Sequence, residues 1–187
     1  MKQHTVRSLV SGVLLALCTF LPEARGNTGF HDLAGRLYAV SNSHINKICQ
    51  DHLGYIWLAT DYGLARFDGA EAVVYTRTPE AGSLLSNTVL SVMEDSRNNL
   101  WVGTSDGIQK FDRSTQSFVT PRLSYPDVPE FSYVYSIIED RKGNIWFTTS
   151  RSGAICMRPD EPEPVCYMTT NSHICSNKTT TLFEDCF

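Results

Sequence analysis

The sequence predicts an all-β chain, a partial β-propeller of about three four-stranded blades plus the start of a fourth. Three observations predict it. The three tryptophans, Trp57, Trp101 and Trp146, stand 44 and 45 residues apart. Turn residues interrupt the chain about every ten residues, with β-branched and aromatic runs between them. The first run of each unit is apolar on both faces, as befits a strand sandwiched between two other sheets.

Aligned on the tryptophans, the neighbouring columns fall into register. Six residues earlier stand Asp51, Asp95 and Asp140, and three earlier Gly54, Asn98 and Gly143. Three later stand Thr60, Thr104 and Thr149. Gly63 and Gly107 follow at six residues and Gly153 at seven, which marks a one-residue insertion in the third copy. A period of ~40–45 residues fits propeller blades. Helical solenoids share that period, but glycines and turn pairs here interrupt every stretch long enough for a helix.

The elements of the first copy follow in order. Ile45 to Gln50 is the first strand, and Asp51-His52-Leu53-Gly54 a turn. The aspartate bonds backbone two residues on, and the glycine supplies a positive φ. Tyr55 to Thr60 is the second strand and Asp61-Tyr62-Gly63 the next turn. Leu64 to Phe67 and Ala72 to Thr76 complete the unit around Asp68-Gly69. In the first strand Ile45 and Cys49 point one way and Ile48 the other. Val89 and Met93 against Val92, and Val134 and Ile138 against Ile137, repeat this.

The blades divide as residues 41–85, 86–130 and 131–176. An incomplete fourth covers 177–187, where Asp185 stands 45 residues after Asp140. The third copy departs from the pattern. Thr148 replaces Gly103, Met157 replaces Phe67 and Phe111, and a Pro/Glu-rich insertion runs from Pro159 to Pro164.

Ahead of the repeats, Lys2 and Arg7 precede an uncharged apolar run, Leu9 to Leu21. That run suits a signal h-region and falls short of a bilayer span of ~20 residues. Ala24-Arg25-Gly26 offers a cleavage site, so residues 1–26 read as an export signal and 27–40 as a lead-in. Removal of the signal changes the net charge from −4 to −6, through loss of Lys2, Arg7, Arg25 and Glu23. No later stretch is apolar enough to cross a membrane. With 42% hydrophobic and 11% aromatic residues the chain is too apolar for disorder. Its acidity excludes the footprint of a nucleic-acid binder. Six cysteines are too few for a disulfide scaffold.

The strings Ile48 to Thr60 (ICQDHLGYIWLAT) with Gly63 to Gly69 (GLARFDG), and Val92 to Asp95 with Leu100 to Thr104, resemble the two-component regulator propeller repeat. The resemblance covers about residues 41–187 and implies the extracytoplasmic sensor region of a hybrid two-component system. It implies a longer parent with further blades and a downstream histidine kinase, of which no module stands here. It also implies a location on the periplasmic side of a bacterial inner membrane and a signal that is often a glycan fragment, so an oligosaccharide ligand.

No residue set points to catalysis, a cofactor or a metal. The aspartates recur once per unit, which argues turn-capping, and the tryptophans blade-to-blade packing. Cys49-x-x-His52 lacks a second ligand pair. Catalytic propellers carry non-repeating acids at the start of successive blades, where this chain has Asn46, Lys47, Leu90, Ser91, Tyr135 and Ser136. Cys156 takes the place of Arg66 and Lys110, a surface slot, and a hairpin centred on Glu161 sets it opposite Cys166 as a candidate disulfide. The favoured reading is a ligand-sensing or interaction module without catalysis of its own. Its alternatives are a structural or truncated remnant and, less favoured, a propeller enzyme.

Overall fold

The computed structural model describes residues 44–121, 133–161 and 163–185. The expected signal, the lead-in, Cys18 and Cys186 lie outside the described residues. Twelve strands and no helix form among the described residues. The first sheet comprises β1 (Ile45–Gln50), β2 (Ile56–Thr60), β3 (Gly63–Phe67) and β4 (Ala72–Tyr75). The second comprises β5 (Val89–Glu94), β6 (Leu100–Thr104), β7 (Gly107–Asp112) and β8 (Ser117–Val119). The third comprises β9 (Val134–Glu139), β10 (Ile145–Thr149), β11 (Ala154–Met157) and β12 (Val165–Tyr167). Each is an antiparallel meander in simple sequential order. The strands expected for the first copy are found within one residue at each end.

The sheets stack through their first strands, with β5 packed between β1 and β9. Each inner strand carries an irregularity near its start, between Ile45 and Lys47 and again between Val89 and Ser91. A bulge of this kind bends a strand and sharpens its twist.

The core lies between the sheets rather than within any one of them. Trp57, Ala59 and Leu64 of the first sheet meet Val89, Val92, Leu100, Val102, Phe111 and Phe118 of the second. Trp101 and Ile108 then meet Val134, Ile137, Ile145, Phe147 and Ile155 of the third. Each fully buried side chain of this size contributes roughly 1.5–3 kcal/mol, so a sheet is stabilised mainly by its neighbour. Ile48 shows what happens without one. It is 40% exposed, while its counterparts Val92 and Ile137 are 1% and 5% exposed. Double-sided packing of the first strand thus holds for β5, whose Val92 and Met93 enter the cores on its two sides, and fails for the outer two, where Ile48 of β1 is exposed and Ile138 of β9 only half-buried.

The third sheet corrects the expectation for its cysteines. Cys156 pairs with Val165, and Cys166 with Ile155. The two are one register step apart, so their side chains point to opposite faces, and no disulfide joins them. Cys156 is also buried rather than at the surface. It lies opposite Trp146 in the ladder, as Arg66 lies opposite Trp57. Arg66 spans that slot with its stem and sets its guanidinium over the Tyr55 ring, 4.9 Å from the centroid. A cysteine cannot reach past the ring and stays beneath it.

Residues 177–185, expected to open a fourth blade, lie against the third sheet without forming a strand. Thr179 donates its backbone N–H to Thr149 O at 3.0 Å, and Arg141 reaches Glu184 and the carbonyl of Asp185.

Candidate functional site

The repeated aspartate and tryptophan form a single unit. Asp51 Oδ1 accepts the backbone N–H groups of Leu53 and Tyr55, at 3.0 and 2.9 Å. Its Oδ2 accepts Trp57 Nε1 at 2.8 Å. Asp95 does the same for Arg97, Asn99 and Trp101, and Asp140 for Lys142, Asn144 and Trp146. One oxygen caps the turn and the other fixes the indole, so the tryptophan enters the core with its N–H satisfied. Turn-capping was legible in the sequence, whereas the bond to the indole was not. The turn itself needs φ near +60 to +90°, found at Gly54, Asn98 and Gly143. Asparagine tolerates that conformation, which is why it stands in the second copy.

The threonine and glycine columns close the next turn. Thr60 Oγ1 donates to Gly63 O at 2.8 Å, and Thr104 and Thr149 repeat this toward Gly107 and Gly153 at 3.0 Å. Gly63 has φ +122°, and a Cβ there would run into the Tyr75 carbonyl.

A second column went unread in the sequence. Glu94 Oε2 accepts the His52 backbone N–H at 2.6 Å, and Glu139 Oε2 that of Ser96 at 2.7 Å. Glu184 accepts the N–H of Arg141 at 3.1 Å. Each glutamate stands just before the turn aspartate and reaches back to the preceding turn. The Glu-Asp pair therefore faces two ways, with aspartate serving its own sheet and glutamate the one before.

Arg113 reinforces the first of these junctions. It bonds Asp51 Oδ2 at 2.8 Å and Glu94 Oε1 at 2.5 Å. The second and third aspartates have no arginine there. Asn99 and Asn144 supply a side-chain amide to the same oxygen instead, at 2.9 and 2.8 Å. The first copy carries Tyr55 at that position.

These bonds decide what the carboxylates can do. Burial raises the pKa of all three aspartates, but the indole and neighbouring N–H donors outweigh it and hold them below the usual carboxylate range. For Asp140 the result is about 2. An acid held ionised and saturated with donors is a structural anchor; a general acid needs its pKa raised toward the working pH. Among the described residues no group of three or more His, Cys, Asp or Glu side chains is placed to hold a metal ion. No helix among them is long and apolar enough to cross a membrane.

Among the described residues, openings lie beside two of the tryptophans. A cleft of about 290 Å³ stands between the second and third sheets, against Trp101. A wider one of about 670 Å³ flanks Trp146 on the free side of the third sheet.

Comparison with known proteins agrees with this geometry. Residues 39–62, 83–106 and 130–151 match the two-component regulator propeller family. No curated protein matches the chain. The structure is similar to the extracellular domain of a hybrid two-component system from B. thetaiotaomicron. The two are 20% identical with a TM-score of 0.65, over 81% of this chain and 22% of that one. A second structure from that organism, described as the extracellular domain of a one-component system, gives 21% identity and TM-score 0.65, over 77% and 21%. PorZ, a surface component of the type-IX secretion system of Porphyromonas gingivalis, gives 15% identity and TM-score 0.57, over 72% and 22%. The chain thus spans about a fifth of the length of these structures, and at such identities the likeness is one of fold.

Proposed function

We propose that this chain, built on three two-component regulator propeller repeats, works as part of the extracytoplasmic sensing module of a two-component system. The observation that carries the reading is the repeat itself. Three copies of one unit, locked by the same Asp–Trp and Glu–turn bonds, make a rigid scaffold whose variable surface is its junctions and loops. Function on such a scaffold lives in the site and not in the fold. The similar structure described as the extracellular domain of a hybrid two-component system supports the same reading.

In this role the blades act outside the inner membrane, on its periplasmic side. They work beside further blades and downstream modules of a longer chain, with an oligosaccharide as one ligand class. Ligand binding at the junctions shifts how the sheets sit on one another, and that shift sets the output of the coupled kinase. The chain contributes recognition and no bond-making chemistry.

An in-frame deletion of residues 44–167 in the organism of origin tests this, with transcript profiling under inducing and uninduced growth. Loss of induction of a defined operon, with the rest of the protein still present at normal level, is the expected result. Unchanged induction overturns the proposal.

A further inference from the structure

The two described junctions are built from equivalent positions, yet among the described residues only one is filled by aromatic rings. At the first, Tyr75 stacks on Trp57 with centroids 6.0 Å apart and planes 22° apart. Phe111 meets the same indole edge-on at 5.1 Å, and Phe118 packs on Tyr75 at 5.6 Å. At the second, the β7–β8 register continued two residues past Val119 brings Pro121, which lines the cleft, to the position that Tyr75 holds opposite Leu64. Met157 replaces Phe111, and Pro164 replaces Phe118. Three rings are lost at once, and the cleft of about 290 Å³ is the space they leave. On the third sheet Tyr167 again stacks on Trp146, at 5.2 Å and 27°. Among the described residues Trp101 alone of the three has no ring stacked on its face.

The rim of the cleft is also specific. Tyr75 donates its hydroxyl to Gln116 Oε1, in the turn between β7 and β8, at 2.8 Å. The matching turn between β11 and β12 carries Glu161, held by Arg158 at 2.7 Å and lining the cleft. A carboxylate there accepts a phenol O–H better than an amide does.

We propose that the cleft between the second and third sheets binds a phenol ring, stacked on the Trp101 indole with its hydroxyl donated to the Glu161 carboxylate. The ligand takes the place that Tyr75 fills at the first junction. This site is independent of the sensing role, since it is read on the chain alone without any signalling output.

The test is a titration of the full chain with p-cresol, followed by ¹H–¹⁵N NMR of the three indole N–H signals and assigned with Trp101→Phe. The expected result is a saturable ring-current shift of the Trp101 signal, with Trp57 and Trp146 unmoved. Pro121→Tyr, which puts a ring in the slot, should weaken binding by about tenfold or more. If that variant gives a collapsed amide spectrum, Met157→Phe fills the slot from the other sheet and should do the same. N-acetyl-tyrosinamide separates the two sources of a phenol. Tighter binding than cresol assigns the slot to a tyrosine of a partner, and weaker binding to a free phenol; either supports the site. Methyl glucoside saturating the Trp101 signal where cresol does not, or cresol binding that survives the filled slot, overturns the proposal.

Discussion

The carboxylate of Glu94 receives the backbone N–H of His52, 2.6 Å away, across the boundary between the first and second sheets. Glu139 repeats the contact toward Ser96, where it takes both the backbone N–H at 2.7 Å and the hydroxyl at 2.6 Å. These bonds are charge-assisted, so each is stronger than a neutral one. Ser96 lies at the surface, and water replaces part of what is lost when its partner is removed. Glu139→Ala should therefore cost about 1–2 kcal/mol, and Glu139→Gln, which keeps one acceptor, less. Urea unfolding of the two variants checks this. A Glu139→Ala midpoint equal to that of the parent would remove the clasp as a stabilising element.

Arg113 and Tyr55 make a sharper case, because the chain contains its own control. Asp51 takes its fourth donor from Arg113, while Asp95 and Asp140 take theirs from the side chains of Asn99 and Asn144. Arg113→Ala leaves the buried Asp51 carboxylate a donor short. The Arg113 side chain is 24% exposed, so the cost should be about 2 kcal/mol, below that of a fully buried pair. Arg113→Lys should rescue little, since a point charge cannot span two carboxylates. Tyr55→Asn supplies the amide that the other copies use. In a double-mutant cycle the pair should be less destabilised than the sum of the single changes, by about 0.5 kcal/mol or more. Additive losses would show that Asn99 and Asn144 do not substitute for the arginine.

The period, the strands and the turn aspartates were legible because each recurs at a fixed offset from a rare residue. The Glu–turn clasp was present in the same columns, as Glu94, Glu139 and Glu184. It escaped notice because Gln50 breaks the column in the first copy, and because its partner is a backbone N–H, which no residue type announces. The Asp–Trp bond was missed for a related reason. Six residues of separation suggest nothing until the turn folds the aspartate back over the strand that follows it. The cleft beside Trp101 left a trace in the sequence as Met157 in a phenylalanine column. Its meaning needed the register, since Pro121 and Tyr75 stand at different distances from their tryptophans.

Cys156 and Cys166 point to opposite faces of one hairpin, so thiol chemistry should distinguish the cysteines by burial alone. Cys175 is exposed and should react with a maleimide within the dead time of manual mixing. Cys49 is half-buried, and burial pushes its thiol pKa up, so it should react more slowly. Cys156 and Cys166 should stay unmodified until the protein unfolds. Peptide mapping by mass spectrometry of protein labelled before and after denaturation reads this directly. A disulfide-linked 156/166 peptide in unreduced native protein would overturn the register.

Acid should release the tryptophans through their aspartates. The carboxyls of Asp51, Asp95 and Asp140 hold protons less tightly folded than unfolded, where the ordinary value is about 3.9. Their contribution is thus complete above pH ~4 and is lost as pH falls toward the folded value, about 2 for Asp140. Urea midpoints measured at pH 7, 4, 3 and 2 should be flat between the first two and drop steeply after that, with Trp fluorescence and far-ultraviolet dichroism changing together. Asp140→Asn keeps one acceptor oxygen, enough for the turn or the indole but not both, and does not titrate. It should be less stable than the parent at pH 7 and fall less between pH 4 and pH 2. Parallel decline of parent and variant over that interval would place the acid sensitivity elsewhere in the chain.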